Sequence, residues 1–174
     1  MKLRTLLIAG CMILSASLIP GQSMSEPAMI SKVAATTKTQ EAGSVNAELK
    51  RSFGEVSEWV SKAADMVPPE KYNYRPVDSV RTFGQIVAHV TDAYTFFCAR
   101  GEGKKVQWSD ATEKGATDKA TVVPKLKQAL DGCNSAYSTG TQVGPLIDNV
   151  GHTNLHYGNI VTYMRMMGMK PPSS

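Results

Sequence analysis

Two of the three histidines in this chain, His152 and His156, sit four positions apart in the stretch GHTNLHYGN at residues 151–159. On a helix that spacing puts both rings on one face, close enough to share a cation. The third, His89, ends the run RTFGQIVAH at residues 81–89. Taken alone, His89 reads as an ordinary core histidine bonded to a carbonyl or a hydroxyl. Three imidazoles facing one interior are a different matter: each buried nitrogen without a partner costs free energy, and a divalent cation satisfies all three together. Three neutral nitrogen ligands leave at least one coordination position open, as catalytic zinc sites do. An ion so held can lower the pKa of bound water or activate a thiolate. Imidazole suits zinc, nickel, iron or copper, with zinc the default. The residue after the first histidine of the pair is Thr153, where a zinc protease of the H-E-x-x-H type needs a glutamate as general base. That class is disfavoured.

The elements that must position these rings are all helical. Leu49, Phe53, Val56, Val60, Ala63 and Val67 recur at steps of three and four, marking one helix face ended by Pro68-Pro69. After a loop containing Pro76, Thr82 can cap a second helix whose stripe is Ile86, His89, Val90, Ala93 and Phe97, stopped at Gly101. Residues 101–118, rich in Gly, Lys, Thr and Asp, form a long connection suited to a crossover or to a loop over a site. A third helix is expected from near Thr121, with Pro124 in its first turn, to Gly140; its stripe includes Leu126, Leu130, Cys133 and Tyr137. A fourth runs from about Pro145 to Met167, capped by Gly168. Its positions 149, 152, 156, 160, 163 and 167 read Asn, His, His, Ile, Tyr and Met, so both histidines face the interior, as His89 does on helix two. No stretch shows sustained period-two alternation. The expected fold class is all-α, a four-helix bundle.

The chain begins like an export signal. A basic start, MKLR, precedes the apolar run Thr5 to Ile19, which Pro20-Gly21 breaks. This run is shorter than the ~20 apolar residues that span a bilayer, so no stable membrane insertion is expected once the signal is removed. The expected organisation is a signal peptide over residues 1–23, a flexible tether over 24–44 and the bundle over 45–174. Export places the chain in the periplasm or outside the cell; Ile8-Ala9-Gly10-Cys11 is a lesser alternative, a lipobox that would anchor Cys11. Part of the net charge of +4 belongs to the leader, and without Lys2 and Arg4 the balance is 17 basic residues of the 19 against 15 acidic ones. The basic residues are scattered without aromatic interleaving, so nucleic acid is not an expected partner. Cys98 and Cys133 remain, either as a disulfide or as two buried thiols.

The segments RTFGQIVAHV (81–90), GHTNLHYGNIVTYMRMMG (151–168) and VPPEKYNYRP between helices one and two together resemble the DinB family of four-helix metal-binding proteins, in a subgroup with export signals. The likeness spans roughly residues 45–174. It implies one histidine ligand in helix two and an H-x-x-x-H pair in helix four, which here are His89, His152 and His156. It also implies a divalent ion, zinc or nickel, and for some relatives a metal-dependent transfer reaction with a small thiol. The partner expected on this reading is a small-molecule ligand or substrate, with a homodimer as the assembly. Gln85, Asn149, Asn159 and Tyr163 lie near the ligands on their helices and are candidates to orient a ring or a metal-bound water. No carboxylate lies on either histidine stripe; Asp92 and Asp148 sit beside them. That disfavours a hydrolase and leaves a transferase, or a non-catalytic extracytoplasmic protein that binds metal or a small ligand.

Overall fold

The computed structural model describes the backbone from Pro27 to Ser174 and side chains from Val45 onward; the signal peptide, its cleavage point and Cys11 lie outside the described residues. Four helices follow one another: α1 (Pro27–Met66), α2 (Phe83–Gly101), α3 (Lys119–Thr139) and α4 (Val143–Met166). Among the described residues there is no strand, and the protein is an all-α four-helix bundle. No described helix is long and apolar enough to cross a membrane. The packed unit runs from Thr37 to Ser174; of the chain before it, only the first turns of α1 are described.

α1 starts at Pro27, inside the stretch expected to be a tether. Between Ala28 and Ala42 there is no Gly or Pro to interrupt it, and the absence of an apolar stripe says how a helix packs, not whether it forms. From Phe53 onward the expected stripe is buried: Phe53, Val56, Val60, Ala63 and Val67 are each almost fully enclosed. Phe53 stacks on Tyr137 of α3 with centroids 4.3 Å apart and meets Tyr94 of α2 edge-on at 5.3 Å, so one ring ties three helices. Trp59 stacks on Tyr157 of α4 at 5.4 Å. The Tyr157 hydroxyl accepts from the Ser173 amide at 3.2 Å, which docks the C-terminus. Gly158 has open space where a Cβ would stand, so it is not a point of close helix approach.

The helix ends follow local chemistry. Thr82 and Gln85 form a reciprocal capping box at the start of α2. The remaining first-turn amides there are also paired, Phe83 to the Tyr74 carbonyl at 2.8 Å and Gly84 to that of Tyr72 at 2.9 Å. α3 begins two residues earlier than expected, because the Asp118 carboxylate accepts from the Thr121 amide at 3.0 Å. Pro124 therefore falls in the second turn of α3 rather than the first. α4 opens at Val143, with Pro145 in its first turn, and closes at Gly168, whose φ of 77° permits the Met169 amide to reach back to Met164 at 2.8 Å. Cys98 and Cys133 are joined in a disulfide with Cα atoms 5.1 Å apart, linking α2 to α3 across the long connection.

Candidate metal centre

α2 and α4 pack against each other and bring the three histidines together. Their ring centroids form a triangle with sides of 5.1 Å (His89 to His152), 4.7 Å (His89 to His156) and 4.5 Å (His152 to His156). The Nε2 atoms of His89 and His152 face each other at 3.2 Å. Two nitrogens on one tetrahedral ion, each about 2.1 Å from it, lie about 3.4 Å apart, so the spacing fits two ligands of one cation as well as an N–H···N hydrogen bond. The Nδ1 atoms of His152 and His156 are buried without a hydrogen-bond partner. Asn46 Oδ1, Tyr94 Oη and Asn149 Oδ1 are also buried and unpaired, so what distinguishes these two nitrogens is that both belong to rings of one histidine cluster.

His89 is held from the opposite edge. Its Nδ1 lies 2.8 Å from Oε2 of Glu113, while Oε1 of the same carboxylate takes the Arg81 Nε–H at 2.6 Å. A carboxylate accepting the Nδ1 proton leaves Nε2 as a free lone pair aimed at the cluster, an arrangement shared by metal-ligating histidines. Burial works to raise the Glu113 pKa, but the hydrogen bonds from Arg81 and His89 outweigh it and hold the carboxyl below its ordinary value. The His152 and His156 imidazoles are driven from 6.5 down to about 4, first by burial and then by the neighbouring histidines and Arg81. Both rings are therefore neutral at pH 7, the form that ligates.

Glu113 comes from the connection between α2 and α3, and Asp92 places it there. The buried Asp92 carboxylate accepts the Thr112 amide at 3.0 Å and the Glu113 amide at 3.0 Å, so the loop is pinned to α2 one turn after His89. At Gly84 a Cβ would overlap the Thr117 carbonyl oxygen, so the far end of the same loop lies directly on the start of α2. Trp108, also from this loop, covers the cluster, with its ring 5.5 Å from His89 and 6.3 Å from His152. A cavity of about 550 Å³ opens beside His156 and is lined by Arg81, Glu113, Asn159 and Tyr163 among others.

The residues expected to support the ligands divide. Tyr163 donates to the Arg81 carbonyl at 3.0 Å and so braces the residue that clamps Glu113, without touching a histidine. Asn159 is exposed at the cavity wall. Gln85 points the other way, its side-chain oxygen taken by the Thr82 amide at 2.9 Å. Asn149 is fully buried, but its amide donates to the Tyr137 hydroxyl at 3.3 Å and to Cys98 Sγ at 3.4 Å, at the disulfide rather than the histidines. Glu113, Arg81 and Trp108 were not singled out from the sequence. A loop residue has no periodicity to report its direction; the available signal was the length of the connection itself.

A family model described as the DinB superfamily matches residues 48–145, more than half of the chain. The chain belongs to the DinB superfamily. The matched span holds His89 and Glu113 and stops before His152 and His156. Among solved structures, a DinB-like protein from Bacillus cereus superposes with a TM-score of 0.59 at 17% identity, covering 71% of this chain and 93% of that one. At that identity the likeness concerns the DinB fold. No curated protein matches this DinB chain.

Proposed function

We propose that this DinB protein binds one divalent metal ion, zinc or nickel, through His89, His152 and His156, with a coordination position left for a small molecule. The observation that carries the reading is the 3.2 Å approach of the His89 and His152 Nε2 atoms while His89 Nδ1 rests on Glu113. Without an ion the contact is a single N–H···N hydrogen bond from neutral His152 to the His89 lone pair, a tautomer that leaves His152 Nδ1 as a buried acceptor with no partner, whereas an ion takes both Nε2 lone pairs at once. Zinc or nickel bound there would act as a Lewis acid toward water or a thiolate. The protein's own part is to orient the rings, through Glu113, Arg81 and Asp92, and to shield them with Trp108.

Glu113 is the carboxylate missing from the helix stripes, yet it makes a poor general base. Both its oxygens are engaged and its pKa is depressed, so it has little affinity for a substrate proton at neutral pH. This favours a metal-dependent transferase that takes a small thiol as nucleophile over a hydrolase. The second reading, a metal or small-ligand carrier without turnover, is favoured by the same engagement of Glu113. Export is part of the proposal, supported by the apolar leader and by the Cys98–Cys133 disulfide, a bond that persists in oxidising compartments.

The test is metal analysis of the purified protein beside His89→Ala and His156→Ala. The proposal expects about one equivalent of zinc or nickel in the parent and loss in both variants. Equal trace content in all three contradicts it. With metal in hand, turnover of thiol and electrophile pairs separates the transferase from the carrier.

A further inference from the structure

A second cavity, of about 730 Å³, shares Trp108 with the cover of the histidines. It lies where the end of α2, the first part of the long connection and the turn before α4 meet, and its lining includes Phe96, Arg100, Lys104, Lys105, Trp108 and Gln142. Its walls are of two kinds. Phe96 and Trp108 meet edge to face at 5.3 Å and give an apolar side; Arg100, Lys104 and Lys105 give a cationic one. No carboxylate lines it. Lys104 is neutralised by Glu102 at 2.6 Å, but among the described residues neither Arg100 nor Lys105 has an ion-pair partner. The Arg100 guanidinium stands 5.4 Å over the Phe96 ring, which holds it in place without using its hydrogen-bonding edge. The Trp108 indole N–H is taken by Asp110 at 2.5 Å, so the ring offers the cavity carbon rather than a donor.

We infer that this cavity is a subsite for a small organic anion with a planar apolar body, the body against Trp108 and Phe96 and the negative group on Arg100 and Lys105. A ligand needs both halves. The apolar side alone is half open to water, with Trp108 38% exposed, and the cations alone are surface charges of small individual worth. Together they place aromatic and cationic side chains around one pocket, with Gln107 and Gln142 as further polar lining. Trp108 is shared: it lines the subsite, and its ring is 5.5 Å from His89 and 6.3 Å from His152, which brings an occupant near the proposed ion. That the occupant is the substrate of the metal centre rests on the metal reading; the subsite itself does not.

Calorimetric titration of the protein with 2-naphthoate, with the neutral 2-naphthylmethanol and with inorganic phosphate tests it, first after chelation and then loaded with cobalt(II). On chelated protein, naphthoate should bind at least about tenfold more tightly than the alcohol, and phosphate should not compete. Arg100→Gln combined with Lys105→Gln should remove that tenfold preference while leaving the alcohol unchanged, and Trp108→Ala should weaken both ligands. Equal binding of acid and alcohol, displacement by phosphate, or indifference to the double variant overturns the subsite. On cobalt-loaded protein, the naphthoate proton resonances should broaden. Binding on the chelated protein without broadening on a protein that retains cobalt leaves the subsite standing and overturns its link to the metal. Failure to retain cobalt overturns the metal reading instead.

Discussion

Two ends of α2 are built on opposite plans. About 13 Å apart along the axis, Cys98 and His89 each join α2 to another helix. At Cys98 the join is covalent and enclosed: the disulfide to Cys133 is buried, Asn149 and Tyr137 pair beside it, and Phe53 stacks on Tyr137 from α1. At His89 the join is non-covalent: His89 Nε2 faces His152 Nε2, the His152 and His156 Nδ1 atoms are unpaired, and a carboxylate on a loop holds His89 from outside. The contrast teaches that the bundle is fixed covalently at one end of α2, while the histidines at the other are held only by side-chain contacts.

Substitutions at the first end should therefore cost stability and spare metal uptake. Phe53→Ala, which removes the ring shared by three helices, should lower unfolding stability by about 3–5 kcal/mol in urea titrations while the metal equivalents bound stay the same. Replacing Cys98 and Cys133 together by serine should lower it by about 3–4 kcal/mol, the value for a closed loop of this length, again with metal content unchanged. If either change abolished metal binding at temperatures where the protein stays folded, the two ends would not be separate.

At the second end the order should reverse. Glu113→Gln keeps the shape but weakens the hold on His89 Nδ1, and should reduce metal affinity by about 10–100-fold in a competition titration, with little shift in the urea midpoint. Arg81→Gln should act in the same direction by a smaller factor, since Arg81 touches the ring only through Glu113 or at 3.4 Å.

A further effect is on pH. His152 and His156 have folded values near 4 against 6.5 for the free side chain, so between those values the unfolded chain binds protons that the folded chain refuses. Metal-free stability should be full above 6.5 and fall as the pH drops toward 4, and His152→Gln with His156→Gln should flatten that part of the profile. An unchanged slope in the double variant would mean that the rings are not desolvated.

The helical stripes revealed the bundle and the three histidines because a ligand on a helix shares the 3.6-residue period of the core it faces. His89, His152 and His156 were legible for the same reason as Val60 or Ile160. Glu113 and Trp108 were not, because their direction is decided by Asp92 accepting two loop amides, a long-range contact with no local pattern. Asp92 itself lay three residues past His89, beside the stripe rather than on it, and its spacing assigned it no role. Asn149 and Gln85 shared the right face but at the wrong depth or with a nearer partner. Helical spacing predicts the face, and hydrogen-bond competition decides which polar atom on it is spent locally. The start of α1 and the Asp118 cap were misplaced for a related reason: helix ends depend on single caps rather than on a repeated signal.

X-ray absorption at the metal edge of zinc- or nickel-loaded protein tests the central claim most directly. The account predicts three imidazole nitrogens at about 2.0–2.1 Å, completed by oxygen and without sulfur, and the loss of one imidazole in His152→Ala. A sulfur-containing shell, or a spectrum identical in parent and variant, would contradict it.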